Sequence, residues 1–319
     1  MVWRNDRIKI KIRWPEGKKF AFTIFDDTDN SFIHNIKPVY NLLKECRIFT
    51  TKSVWVNPVR DRFRGLCLQD KNYLNYIKKL DKEGFEIALH NVGSGEYVRD
   101  EIKNGIEEFK KCLGYYPTIH ANHSNNPDNI FWGHKRHVLP LSWVNYLLDK
   151  RKFCGEDPNS KFFWGDLSKR HIKYIRNLVF NGINTYTHDP KMPYRIRSKE
   201  KYSNYWFSSS DGHEVKGFNN LIKEENIINL EKVGGFCIAY THFCGGFVDE
   251  KGCLNTEFEE NIRRLSRNKN GWFVPVGSLL DFLLSIRETE DYVSYPYLAR
   301  LDFIWIIHRI IKRLAALNK

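Results

Sequence analysis

The sequence predicts a parallel α/β fold, a closed or nearly closed (β/α)7-type barrel with one further amphipathic helix at its C-terminal end. Three features carry that expectation. Short apolar runs alternate with amphipathic stretches of helical period about seven times, as βαβ units require. Several runs stop on an acidic residue or a histidine, the position where barrels of this kind keep their chemistry. A last basic stretch follows with an apolar face and no strand behind it.

The elements are expected in the following order. "KFAFTIF" reads as a first buried strand, followed by a helical pattern over 31–46; "TKSVWV" is a second strand, followed by a helix over 70–83. "FEIALH" leads into the helix of "RDEIKNGIEEFKKCLG", and "PTIHAN" into a middle rich in Trp and other aromatics. A helix is expected around 169–181, then "INTYTH" and "NYWFSS" as strands, a helix around 217–230, "GFCIAYTH", a helix around 255–267, "WFVPV" and a helix around 277–287. Residues 1–290 are expected to form the barrel domain and 291–319 a basic amphipathic helix, with Phe303, Ile306, Ile307, Ile310, Leu314 and Leu317 on its apolar face. That helix can dock on the barrel, pair with a second subunit, or lie on an anionic membrane surface.

Composition narrows the partners. The formal net charge of +13 attracts anions of some kind. No RNA-recognition signature, zinc-finger spacing or long Lys/Arg run is present, so nucleic acid is not expected. The start "MVWRNDRIKIKIRW" lacks an apolar core, and there is no run of 18 apolar residues. Seven cysteines without CxxC spacing suit reduced thiols. A cytoplasmic protein, at most peripheral to the inner membrane face, is the expectation.

The tract "FAFTIFDDTDN" concentrates the chemistry. Asp26, Asp27 and Asp29 crowd the end of a buried strand, where unpaired carboxylates repel one another and lose solvation unless a cation answers them. Side chains alternate along a strand, so Asp26 and Asp27 should point in different directions, one free to hold a divalent metal while the other acts as a base on water. His90, His120, His123, His188 and His242 fall at or just past other strand ends and supply the nitrogen ligands zinc prefers. "SSSDGHEVKGFNNLI" offers Ser210 and its neighbours to a saccharide pocket, with Trp206 or Trp132 as a stacking surface, although capping and turn formation explain most of that stretch equally well.

The order "TIFDD", "GFEIALH", "GYYPTIHANH", "IAYTH" resembles the polysaccharide deacetylases, carbohydrate esterase family four, over residues 18–285. The resemblance implies an incomplete β/α barrel that removes acetyl groups from a saccharide with a divalent metal, zinc first, with cobalt, manganese and nickel as alternatives. It implies Asp26 as general base, Asp27 and His90 as metal ligands, and His242 as the acid that protonates the leaving group. Two positions depart from the family pattern. Ser94 stands where a second metal histidine is usual, and "HANHSNN" stands where an arginine motif is usual. His123 is the expected substitute ligand, with His120 and Asp29 in reserve; Asp29, His120, Trp206 and Ser210 are otherwise expected to contact substrate. A noncatalytic saccharide-binding protein on the same scaffold is the rival reading. A glycosidase is disfavoured, because its two carboxylates would face each other across a scissile bond instead of crowding one loop.

Overall fold

The computed structural model describes residues 12–317, so most of the basic N-terminal stretch and the last two residues lie outside it; the side chain of Leu317 is likewise not described. The described residues form eight strands and eleven α-helices. The strands are β1 (Phe20–Asp26), β2 (Thr51–Val54), β3 (Glu86–Leu89), β4 (Ile119–His120), β5 (Tyr174–Phe180), β6 (Tyr205–Asp211), β7 (Phe236–Thr241) and β8 (Gly271–Phe273). The helices are α1 (Ile33–Glu45), α2 (Lys71–Lys82), α3 (Arg99–Leu113), α4 (Leu141–Leu148), α5 (Gly165–His171), α6 (Thr185–His188), α7 (Val215–Leu221), α8 (Glu224–Val233), α9 (Thr256–Ser266), α10 (Val276–Ser285) and α11 (Tyr295–Leu317).

Strands β1 to β7 pair in parallel in chain order, and β7 returns to β1, giving the expected (β/α)7-type barrel. Its ring is uneven. β1 pairs with β7 from Ala21 to Asp26 but with β2 only at Phe25 and Asp26. β8 takes the lower part of that edge, pairing with Phe20, Ala21 and Phe22. The wedge between β8 and β3 is closed by Glu86, whose carboxylate accepts from Thr51 Oγ1 at 2.6 Å and from the Gly277 N–H at the start of α10 at 2.9 Å. An acid at a helix N-terminus is favoured by the unpaired amides there.

Every residue of β1 is buried, as befits a strand covered on both faces. Phe20, Phe22, Ile24 and Phe25 join one continuous core with Ile36, Val39 and Leu43 of α1 and Phe236 and Ile238 of β7.

Two expectations are overturned in the middle of the chain. Residues 169–181 were expected as helix, but after α5 the chain runs out as β5; "INTYTH" was expected as strand and forms the short α6. Arg176 and Asn177 break the apolar pattern of "YIRNLVF" and mimic an amphipathic helix, yet both are buried in the barrel. The helix expected around 217–230 is two helices, α7 and α8, and the aromatic-rich middle contains α4.

Of the three places open to the last helix, docking is observed. α11 lies against β5 and is tied down by Asp302, which accepts from His137 Nδ1 at 2.7 Å and from the Val138 N–H at 2.8 Å. Tyr297 donates to Asp189, and the Asn181 N–H donates to His308 Nδ1 at 3.0 Å. None of the described helices is long and apolar enough to cross a membrane.

Candidate active site

The C-terminal ends of the strands open into a cavity of about 640 Å³. Asp27, Asp29, His90, His123 and His242 line its floor; Trp132, Arg136, Trp305, His308, Arg309 and Lys312 line its wall. The acidic tract of β1 reaches this floor unevenly, because alternate side chains leave a strand on opposite faces.

Asp26 turns away from the cavity. Its carboxylate lies 3.0 Å from Lys52 Nζ, accepts from Tyr40 of α1 at 2.9 Å and from the Phe243 N–H at 2.9 Å, and both Asp26 and Lys52 are fully buried. Burial pushes the Asp26 carboxyl upward against the pull of Lys52. Asp26, expected as the base, thus lies outside the cavity lining, its carboxylate held by the donors Lys52, Tyr40 and Phe243.

Asp27 turns inward. Arg176 of β5 grips it with two bonds of 2.7 and 2.6 Å, the bidentate geometry that fixes a carboxylate plane. Burial would raise the Asp27 carboxyl, but the charge of Arg176, helped by His90 and His242, holds it below the ordinary value.

Asp29 is the hub. His90 Nε2 lies 3.3 Å and His242 Nε2 3.0 Å from its Oδ2, and His123 Nε2 lies 2.7 Å from its Oδ1. Burial opposes its charge, yet the histidines hold it well below the ordinary carboxylate range. The imidazoles are set by their far nitrogens. His90 Nδ1 must donate to the Ala121 carbonyl at 3.0 Å, since a carbonyl only accepts. His123 Nδ1 meets Asn126 Oδ1 at 2.9 Å, and that amide is oriented by donating to the Gly93 carbonyl at 2.7 Å and accepting from the Gly95 N–H. In the neutral imidazoles both Nε2 atoms carry lone pairs toward the carboxylate; in the imidazolium form they would donate to it, which is what holds Asp29 low. Among the described residues neither they nor Asp29 Oδ1 have a well-aligned hydrogen-bond partner despite burial. Acceptors converging on acceptors fit a cation, and a proton fixed on the remote nitrogen is how metal-binding histidines are held. Asp29, His90 and His123 offer ligand atoms that all lie within 4.8 Å of one another, as do Asp27, Asp29 and His242.

The other expected contacts lie elsewhere. His120 is buried against Trp164, its Nε2 3.1 Å from Asn122 Oδ1, and burial pushes it down to about 3. Trp206 is buried beneath Phe131 and donates to Ser203, and Ser210 exchanges a hydrogen bond with Thr185; neither lines the cavity. The strand alternation that carries Asp27 in also turns these side chains into packed layers. Trp132, Asp211 and His213 do line it. Ser94 donates to Asp61 and is no ligand, while His123 occupies the floor. Cys244 donates to the Asp29 carbonyl and burial pushes its thiol up to about 12, which leaves it inert as a nucleophile. Arg176, Lys52, Tyr40 and Asn126 escaped the sequence reading. The one available signal was a charge inside an apolar run, in "YIRNLVF" and "TKSVWV", which burial tolerates only when paired.

No family model matches the chain, and no curated protein matches it. Solved structures do share its fold. Two proteins described as candidate polysaccharide deacetylases resemble it. The one from Mycobacterium smegmatis is 12% identical, with 89% of this chain and 97% of that chain covered and a TM-score of 0.50. The one from Pseudomonas aeruginosa PAO1 is 10% identical, with 87% and 95% covered and a TM-score of 0.52. The Puue allantoinase is also 10% identical, with 87% and 94% covered and a TM-score of 0.52. At such identities the likeness is one of fold.

Proposed function

We propose that the protein is a metal-dependent hydrolase that removes acetyl groups from a saccharide, with Asp29, His90 and His123 holding the divalent ion. The observation that carries this reading is the convergence of two pre-oriented Nε2 lone pairs on a buried carboxylate at the floor of an open cavity. Two imidazoles and a carboxylate suit zinc, with cobalt, manganese and nickel as alternatives. The fold shared with candidate polysaccharide deacetylases agrees with it.

The roles then sit further along the tract than the family resemblance implies. Asp27 takes the place of Asp26 as base, and Asp29 that of Asp27 as ligand. When bound, the ion would supply a Lewis acid and a water acidic enough to lose its proton near neutral pH. Asp27, fixed in plane by Arg176, would be the base beside that ion, with free lone pairs left on its carboxylate. His242, whose Nε2 lies 3.0 Å from the same Asp29 oxygen that His90 approaches, is the acid in this reading and would turn its proton from Asp29 to the departing nitrogen or oxygen. The cavity wall, with Trp132 and Trp305, holds the sugar ring.

Metal analysis of the purified chain tests the reading. About one divalent ion per chain is expected, lost in His90→Ala and His123→Ala. Asp27→Asn should keep the ion and lose turnover by about 10²–10⁴-fold. Metal retained in His123→Ala but lost in His242→Ala would move the ion to the Asp27, Asp29 and His242 set. A wild type that takes up no metal, even with added zinc, would leave a noncatalytic saccharide-binding protein.

The partner surface we propose is an anionic lipid bilayer. Trp143, Val144, Tyr146, Leu147 and Leu148 of α4 are all exposed, Leu148 by 78%, and so are Phe303, Ile307, Ile310, Ile311 and Leu314 of α11. The two helices meet where Tyr295 donates to the Leu139 carbonyl at 2.7 Å. Exposed Lys150, Lys152 and Arg313 accompany them, and the net charge is +13. Apolar and aromatic side chains among cations match an anionic interface. Co-sedimentation with phosphatidylglycerol vesicles, weakened by Trp143→Asp and by salt, is expected; equal binding by the variant, or dimerisation through this face, would count against it.

A further inference from the structure

The wall of the cavity contains cations that no carboxylate answers. Arg136 stacks over Trp132 at 4.0 Å and donates to the carbonyl and side-chain oxygen of Asn177. Arg309 of α11 stacks over Trp305 at 5.2 Å. Among the described residues neither arginine forms an ion pair. The acids nearby are engaged elsewhere: Asp302 by His137, Asp211 by Lys312, Asp27 by Arg176 and Glu156 by Lys135. Arg136 is pushed down to about 9, by burial first and then by the charges of Arg176 and Arg309, with Asp302 and Tyr194 pulling the other way. Behind it Lys199 lies 3.4 Å from the Arg136 carbonyl and is also unpaired, held down to about 8 by burial.

Like charges gathered at a cavity without a counterion disfavour the empty site, and an entering anion relieves them. Guanidinium groups from two different elements on one cavity wall suit a tetrahedral multiply charged group better than a planar carboxylate. The rings of Trp132 and Trp305 carry these guanidiniums on their faces, which fixes the two cations at the cavity wall.

We propose that Arg136 and Arg309, with Trp132 and Trp305, form a phosphate-binding subsite on the cavity wall, which takes a phosphate or diphosphate carried by the saccharide. The subsite rests on the hydrolase reading for the sugar but not for the anion. A free sugar phosphate, a nucleotide sugar or a lipid-linked sugar presents the same chemistry.

The test is calorimetric titration of the full chain after treatment with chelator, so that no resident metal contributes to the signal. The probes are inorganic pyrophosphate, N-acetylglucosamine 1-phosphate and N-acetylglucosamine. Pyrophosphate and the sugar phosphate should bind at least about tenfold more tightly than the neutral sugar, and Arg309→Met and Arg136→Met should each remove about that factor. Arg309 is exposed, so its variant is expected to fold even if the loss of Arg136 disturbs the Asn177 contact. Equal affinity for charged and neutral probes, no binding of pyrophosphate, or unchanged anion affinity in Arg309→Met would overturn the subsite. Because binding is read in metal-free protein, failure of the subsite is distinguished from failure of the metal reading, which the metal content of the untreated chain decides separately. Two further arms compare UDP-N-acetylglucosamine with vesicles carrying polyprenyl diphospho-N-acetylglucosamine. Arginine-dependent binding of either identifies the natural source of the phosphate.

Discussion

Asp26 and Asp29 stand three residues apart at the end of one strand, both buried, in surroundings of opposite character. Asp26 faces donors: the Lys52 ammonium, the Tyr40 hydroxyl and the Phe243 amide. Asp29 faces three imidazole nitrogens, and in two of those rings, His90 and His123, the proton of the neutral form has been placed on the remote side by Ala121 and Asn126. A carboxylate met by donors is complete and serves the fold. One met by acceptors calls for a cation. Residue type and burial are the same at the two positions, so the chemistry of the neighbours decides between structure and function.

Removing each charge in turn should separate the two most widely. Asp29→Asn is expected to lower divalent-metal affinity by more than about 100-fold while leaving urea stability without metal close to that of the wild type. Asp26→Asn is expected to keep metal affinity in the folded fraction but to cost about 3–5 kcal/mol, because the Lys52 charge is left buried and unanswered. Replacing both partners, as in Asp26→Asn with Lys52→Met, should recover much of that loss. Equal metal affinities in the two single variants would erase the distinction drawn here.

A smaller change sharpens the Asp29 side. Asn126→Leu removes the acceptor that fixes the His123 proton, without touching a proposed ligand. Metal affinity should fall about 10–100-fold, the usual cost of losing such a partner. The corresponding bond from His90 ends on a backbone carbonyl, so no side-chain change can reach it. Titration with a competing chelator measures the effect. An unchanged affinity would mean that His123 is not a ligand.

How far this contrast was legible in the sequence depended on distance along the chain. The barrel was readable because each apolar run and its following helix are local patterns, and the clustering of Asp26, Asp27 and Asp29 marked the site. The division of labour among the three was not. Asp27 is known by Arg176, 149 residues away, and Asp29 by histidines brought from the ends of β3 and β7 and from just past β4. Arg176 itself was hidden, since one charged residue in "YIRNLVF" reads as the polar face of a helix until its partner is in view. His120 shows the converse. It ends a strand as the expected ligands do, but its ring is packed against Trp164.

The smallest expected effect concerns the helical side of the cavity. The Asp29 corner is built from barrel strands and the loops just past them, whereas Trp305, His308, Arg309 and Lys312 reach the cavity from α11. Three histidines at or beneath that helix, His137, His188 and His308, are held below their ordinary value, each by burial first. His188 falls to about 4, facing His308 and Arg300; His137 is partly restored by Asp302 but opposed by Arg136 and Lys199. Docked α11 therefore favours neutral imidazoles. Its stability is fully present above the unperturbed value of about 6.5 and is lost as pH falls from there toward the docked values. At pH 5 His188 alone should contribute about 1–2 kcal/mol of that loss. Hydrogen exchange corrected for intrinsic rates should show protection of α11 falling between pH 7 and pH 5 while β1 and β7 hold theirs. Loss of protection in the strands to the same extent would mean that the helix and barrel open together, and that the two sides of the cavity are one cooperative unit.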